Sequence, residues 1–191
     1  EKDYIAQITP LITATLGLLW ILLIIWVEDI VRFQIAGLSF FGSQYWSSTQ
    51  IVPMIALAYI FHAAYLLQIP GIFLMEKSSW ITWVRGVGAI TNILLNFLLI
   101  PSLGIIGAAT ATCLSFILMA VFIFSVNRKI FPIKYEWKKI LIITTVAVSI
   151  WIGVHQLPLS YVSKIGYTIL YPLILFSTGI LRFNQLKRIL T

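Results

Sequence analysis

The sequence predicts an all-α polytopic membrane protein with six transmembrane helices, and three observations carry that prediction. Hydrophobic residues make up 60% of the 191 residues and charged residues only 10%, with a mean hydropathy of +1.00. Soluble domains carry roughly 25% charged residues, so this chain lacks the charge to cover a water-facing surface. The apolar residues fall into six runs bounded by charges and turn residues, each near the roughly 20 residues that cross a bilayer core. The period-2 alternation of a membrane β-barrel is absent, so the runs read as helices whose backbone groups pair within each span.

In order, the predicted spans are 10–31, 51–75, 80–100, 105–126, 140–157 and 165–181. The first opens at Pro10 and closes on the charged group Glu28, Asp29 and Arg32. A polar stretch, FGSQYWSSTQ, precedes the second, within which Pro70 frees a carbonyl and kinks the helix, with Gln68 placed to satisfy the exposed backbone. The third and fourth spans read NILLNFLLIPSLGIIGAATAT across their junction. Pro101 and Gly104 make a tight turn there, and Gly104, Ala108, Ala111 and Ser115 give the return helix a small-residue face that another backbone can approach. The fifth and sixth spans are short, which points to tilt or local thinning.

Charge placement supports the even number of spans. With the N-terminus on face one, that face receives Lys2, Lys77, Arg85, Arg128, Lys129, Lys134, Lys138, Lys139, Arg182, Lys187 and Arg188. Face two receives only Arg32 and Lys164, an asymmetry of eleven to two among thirteen basic residues. The positive-inside rule then makes face one cytoplasmic, with both termini inside. The net charge of +7 reflects this orientation, and no nucleic-acid surface is expected. The loop 127–139, NRKIFPIKYEWKK, is expected along the headgroups, with Phe131, Tyr135 and Trp137 at the interface, or as a simple topological anchor.

Polar groups inside spans each require a partner or a role. Arg85, Gly88, Asn92 and Asn96 share one face of the third span. That stripe reads either as the wall of a polar cavity, with Arg85 attracting phosphate or pyrophosphate, or as a snorkelling arginine plus asparagines bonded to neighbouring helices. His62, flanked by Tyr59 and Tyr65, reads either as a proton carrier or as a neutral imidazole bonded to a tyrosine. The candidate substrate-binding and translocation residues are therefore Arg85, Asn92, Asn96 and His62. All six acidic residues lie at span ends or in loops, and no nucleophile–base pair, phosphate-binding glycine loop or metal-ligand spacing occurs. No catalytic residue, metal or cofactor is expected. The single cysteine, Cys113, reads as a small buried apolar residue.

Asn92-x-x-x-Asn96, followed by Ile100-Pro101-x-x-Gly104-x-x-Gly107-Ala108-Ala109-x-Ala111-Thr112, resembles a hairpin of the polysaccharide flippases of the multidrug/oligosaccharidyl-lipid/polysaccharide exporter superfamily. Asp29-Ile30-Val31-Arg32-Phe33 with Phe41-Gly42-Ser43-Gln44-Tyr45-Trp46 is similar to an upstream span and loop of that family. The likeness covers roughly residues 1–130. It implies a two-lobe transporter, with residues 1–126 as part of the second lobe (four spans), 127–139 as a basic cytoplasmic interfacial loop, and 140–191 as a terminal helix pair with a cytoplasmic tail. It further implies the C-terminal portion of a longer bacterial inner-membrane protein, in keeping with Glu at position 1 and no visible signal peptide. The implied activity is alternating-access translocation of undecaprenyl-pyrophosphate-linked oligosaccharide to the outer leaflet. The implied partners are that substrate, membrane lipids and other polysaccharide-assembly membrane proteins. The alternatives are a cation-coupled multidrug exporter of the same superfamily, an integral-membrane polysaccharide polymerase and a non-transporting scaffold.

Overall fold

Apolar runs in a chain this poor in charge fold as helices, and their ends follow the charges and turn residues. A computed structural model describes residues 1–35, 38–39, 41–156 and 160–180. Helix α1 is Lys2–Arg32, α2 Val52–Leu66, α3 Ile69–Leu74, α4 Ser79–Leu103, α5 Ile105–Ile130, α6 Trp137–Gln156 and α7 Tyr161–Ser177. A two-residue antiparallel ladder, Gln34–Ile35 with Leu38–Ser39, and a 3-10 segment, Ser43–Ile51, lie between α1 and α2.

Five helical stretches among the described residues are long and apolar enough to cross a membrane: Lys2–Arg32, Ser43–Leu74, Ser79–Leu103, Ile105–Ile130 and Trp137–Gln156. The architecture is that of a polytopic membrane protein. Helix α7, at 17 residues, rises only about 25 Å and is the shortest of the six expected spans. The expected ends at Leu157 and Leu181, and the tail cations Arg182, Lys187 and Arg188, lie outside the described residues.

Two differences from the sequence reading have plain causes. Helix α1 starts eight residues before Pro10, because a proline costs only its own N–H and the bond to the Ala6 carbonyl when the flanking turns hold. The second span breaks at Leu67–Gln68, ahead of Pro70, which sits in the first turn of α3. The Gln68 side-chain amide donates to the carbonyls of Ala64 (3.1 Å) and Ala120 (3.4 Å). The Asn127 amide in turn donates to the Gln68 carbonyl at 2.8 Å. The break is therefore braced by α2 and α5, with the Gln68 Oε1 and the Asn127 Oδ1 left buried without a partner.

The residues divide into two units, one formed by 1–5 with 31–134 and the other by 6–30 with 135–191. This division groups most of α1 with α6 and α7, although the 104 residues of 31–134 lie between them in sequence.

In the first unit α5 is central and packs against both α2 and α4. Its core contains Tyr65, Ile72, Ile81, Val84, Met119, Ala120, Ile123 and Val126. Helix α4 runs past Pro101 to Leu103, and Gly104 reverses the chain at φ +56°, a conformation that favours glycine. At Gly107, α5 lies so close to α4 that a Cβ would overlap the Leu99 backbone. Ala111 and Ser115 continue that buried line, whereas Gly104 is exposed in the turn. Phe131, from the 127–139 loop, is buried against Gly71, with the Lys2 ammonium 4.6 Å from its ring centroid. Arg32 stands 5.5 Å over the Trp46 ring.

In the second unit α1 and α7 are tied by polar groups at three levels. The Tyr171 hydroxyl donates to the Ala14 carbonyl at 3.1 Å, in the space left by Gly17. The Trp26 indole donates to the Thr168 hydroxyl at 3.1 Å. Lys164 pairs with Asp29 and lies over the rings of Trp26 and Tyr161. Trp20 meets Trp151 of α6 at 6.4 Å between centroids.

Candidate functional site

Arg85 enters α4 six residues after Ser79, about 9 Å along the helix axis. An arginine at that depth ordinarily extends along its own helix toward the headgroups. Here the side chain turns across to α2, where its Nε–H donates to the Tyr65 hydroxyl at 3.1 Å. Tyr65 is wholly buried in the core, so its ring cannot swing and the hydroxyl is a fixed acceptor. The guanidinium is thereby oriented through one nitrogen. Its two terminal nitrogens carry no carboxylate partner among the described residues, and the residue is exposed. A planar cation held this way presents a fork suited to a phosphate or carboxylate.

His62 stands one turn before Tyr65 on α2 and belongs to the same cluster. Its ring stacks on Tyr65 at 5.8 Å with 25° between planes, and packs on Phe116 of α5 at 4.6 Å. Tyr59, a further turn back, meets His62 edge-on at 6.1 Å and Phe116 at 5.8 Å. The imidazole is therefore held by ring contacts and makes no hydrogen bond to either tyrosine. The sequence places Tyr59, His62 and Tyr65 on one face, as found. It gives no sign that Phe116 completes the group, since a phenylalanine within an apolar run carries no pairing information.

Asn92 and Asn96 occupy a different environment. The Asn92 amide donates to the Thr112 hydroxyl of α5 at 3.5 Å, and Thr112 donates to the Ala108 carbonyl at 3.0 Å. The Asn96 amide donates to the side-chain Oδ1 of Asn92 at 3.0 Å, and the Asn96 Oδ1 is buried without a partner. Gly88 is buried beneath Met119, because a Cβ there would overlap the thioether. The middle of the predicted stripe is thus a seam between α4 and α5. Beyond it, Asn96 borders an open groove of about 420 Å³ with Ile93, Phe97, Ile100 and Pro101. Only Arg85 of the stripe joins the cluster with His62.

No group of three His, Cys, Asp or Glu side chains that could hold a metal occurs among the described residues. The features of this region are one oriented cation and an aromatic face beside it, within apolar helices. No protein-family model matches the chain, and no curated protein or solved structure matches it.

Proposed function

We propose that the protein is a transporter that moves lipid-linked oligosaccharide, with an undecaprenyl-pyrophosphate carrier, from the inner to the outer leaflet of a bacterial plasma membrane by alternating access. In this reading the chain supplies part of the second lobe of a two-lobe transporter and a terminal helix pair. Both ends are cytoplasmic, which the distribution of lysine and arginine supports. The sequence resemblance of the α4–α5 hairpin and the upstream loop points the same way.

The observation that carries the proposal is Arg85. A guanidinium in an apolar span, oriented by a buried phenol and unmatched by a carboxylate among the described residues, is costly in hydrocarbon. An anionic ligand arriving from the cytoplasmic side offsets that cost and supplies bidentate acceptors. Asp29, at the end of α1, is engaged by Lys164, which weighs against a cation-coupled exporter built on that carboxylate.

Deletion of the gene is expected to strand lipid-linked repeat units in the inner leaflet. Normal surface polymer in the deletion strain would refute the proposal. In a complemented strain, Arg85→Lys should retain more transport than Arg85→Ala. Wild-type polymer levels from both variants would show that Arg85 has no part in binding.

A further inference from the structure

We infer that Tyr59 and His62 form a sugar-stacking subsite beside Arg85, which takes the hexose bonded directly to the pyrophosphate. The inference rests on the reading of Arg85 as the anion site, and adds to it the part of the substrate that carries identity.

Three features of the cluster point to a hydroxylated ligand. First, Tyr59 is 58% exposed although it lies within an apolar span. Neither its hydroxyl nor the His62 ring nitrogens make a hydrogen bond among the described residues. Three unsatisfied polar atoms facing lipid would each be costly, so this face suits a polar ligand or a wet cavity. Second, Phe116 braces both rings from behind, at 5.8 Å and 4.6 Å, and fixes their orientation without covering them. Third, the order along α2 is Tyr65, His62, Tyr59, with about 4.5 Å of rise between successive residues. The guanidinium is fixed at the Tyr65 end. A ligand anchored by its phosphate at Arg85 therefore extends over His62 and then Tyr59.

The chemistry that fits is a sugar phosphate. The negative face of an aromatic ring attracts the electropositive C–H face of a pyranose. A phenol and an imidazole beside it offer donors and acceptors to ring hydroxyls. A bare alkyl phosphate would use Arg85 and leave those polar atoms unsatisfied.

Binding to the full-length protein in lipid nanodiscs tests this with two probes, undecaprenyl pyrophosphate and undecaprenyl-pyrophosphate-N-acetylglucosamine. Wild type is expected to bind the sugar-bearing probe about tenfold more tightly, the scale of one to two good ring contacts. Tyr59→Leu should bind both probes alike while keeping wild-type affinity for the bare one. Tyr59→Phe, which keeps the ring, should retain most of the preference. Equal binding of the two probes by wild type, or an undiminished preference in Tyr59→Leu, overturns the subsite. The anion reading is scored separately. Arg85→Ala with wild-type affinity for undecaprenyl pyrophosphate overturns that reading, and a loss of that affinity supports it.

Discussion

The hydrogen bond from Arg85 to Tyr65 makes a specific demand on binding. Tyr65→Phe removes only the acceptor, because the phenylalanine ring still fills the buried site between α2, α4 and α5. A hydrogen bond involving a charged group contributes about 1.5–3 kcal/mol in proteins generally, whereas interhelical bonds in membranes average about 0.6 kcal/mol. Arg85 is exposed and can recover part of its hydrogen bonding elsewhere. A loss of about 1–2 kcal/mol follows, or roughly 5- to 30-fold weaker binding of undecaprenyl pyrophosphate. The assay is a double-mutant cycle in nanodiscs with Arg85→Lys, which keeps the charge but has no Nε–H to place. In the Arg85→Lys background, Tyr65→Phe should change affinity less than about twofold. Equal effects in both backgrounds would show that the hydroxyl acts elsewhere and would refute a positioning role.

Other features give independent tests. Gly107→Ala should destabilise the α4–α5 hairpin by about 1–3 kcal/mol, read as a lowered midpoint in thermal unfolding, because its Cβ meets the Leu99 backbone. Gly86→Ala, with nothing within 4 Å of the new methyl, should instead stabilise by about 0.5–1 kcal/mol. Lys164→Met should lower the melting midpoint by leaving the Asp29 carboxylate unpaired in a half-buried site, and Asp29→Asn in the same chain should restore part of the loss. An unchanged midpoint in Lys164→Met would show that the pair contributes nothing to joining α1 and α7. Burial pushes the Tyr135 phenol up from its ordinary 10.0 to about 12. Below pH 10 the group is neutral in both states. As pH climbs from 10 to about 12 the unfolded chain ionises first, so stability falls across that window. Tyr135→Phe should remove that alkaline loss, and a phenolate absorbance titration should lose a component at about pH 12.

Much of the helical layout is legible in the sequence because hydrocarbon permits few alternatives to a continuous helix. The runs 80–100 and 105–126 needed only extension by a few residues at their ends to become α4 and α5. Two kinds of information are not legible. One is which face of a helix meets which neighbour. The small-residue line on α5 runs through Gly107, Ala111 and Ser115, not through Gly104, and only the position of the Leu99 backbone distinguishes them. The other is pairing at long separation. Asp29 and Lys164 each read as residues at span ends, and their juxtaposition depends on α1 packing beside α7, which hydropathy does not encode. Asn127 likewise reads as the start of a basic loop, yet its amide closes the helix break at Gln68.

The polar residues of the spans differ in what holds them. Asn92, Gln68 and Asn127 each donate to a neighbouring element, although the Gln68 Oε1 and the Asn127 Oδ1 are themselves buried without a partner. Trp26 and Tyr171 likewise donate across to a neighbouring helix in the other unit. Arg85 differs, because only one of its nitrogens is used and its charge has no carboxylate opposite among the described residues. Tyr59 and His62 differ as well, since rings hold them while their polar atoms stay open. A span selected only to pack would replace these three with apolar residues at a gain in stability. Arg85 on α4 lies beside His62 and Tyr59 on α2, the arrangement that the proposed ligand requires. The Asn92–Asn96 pair needs no such ligand beyond the single open oxygen of Asn96.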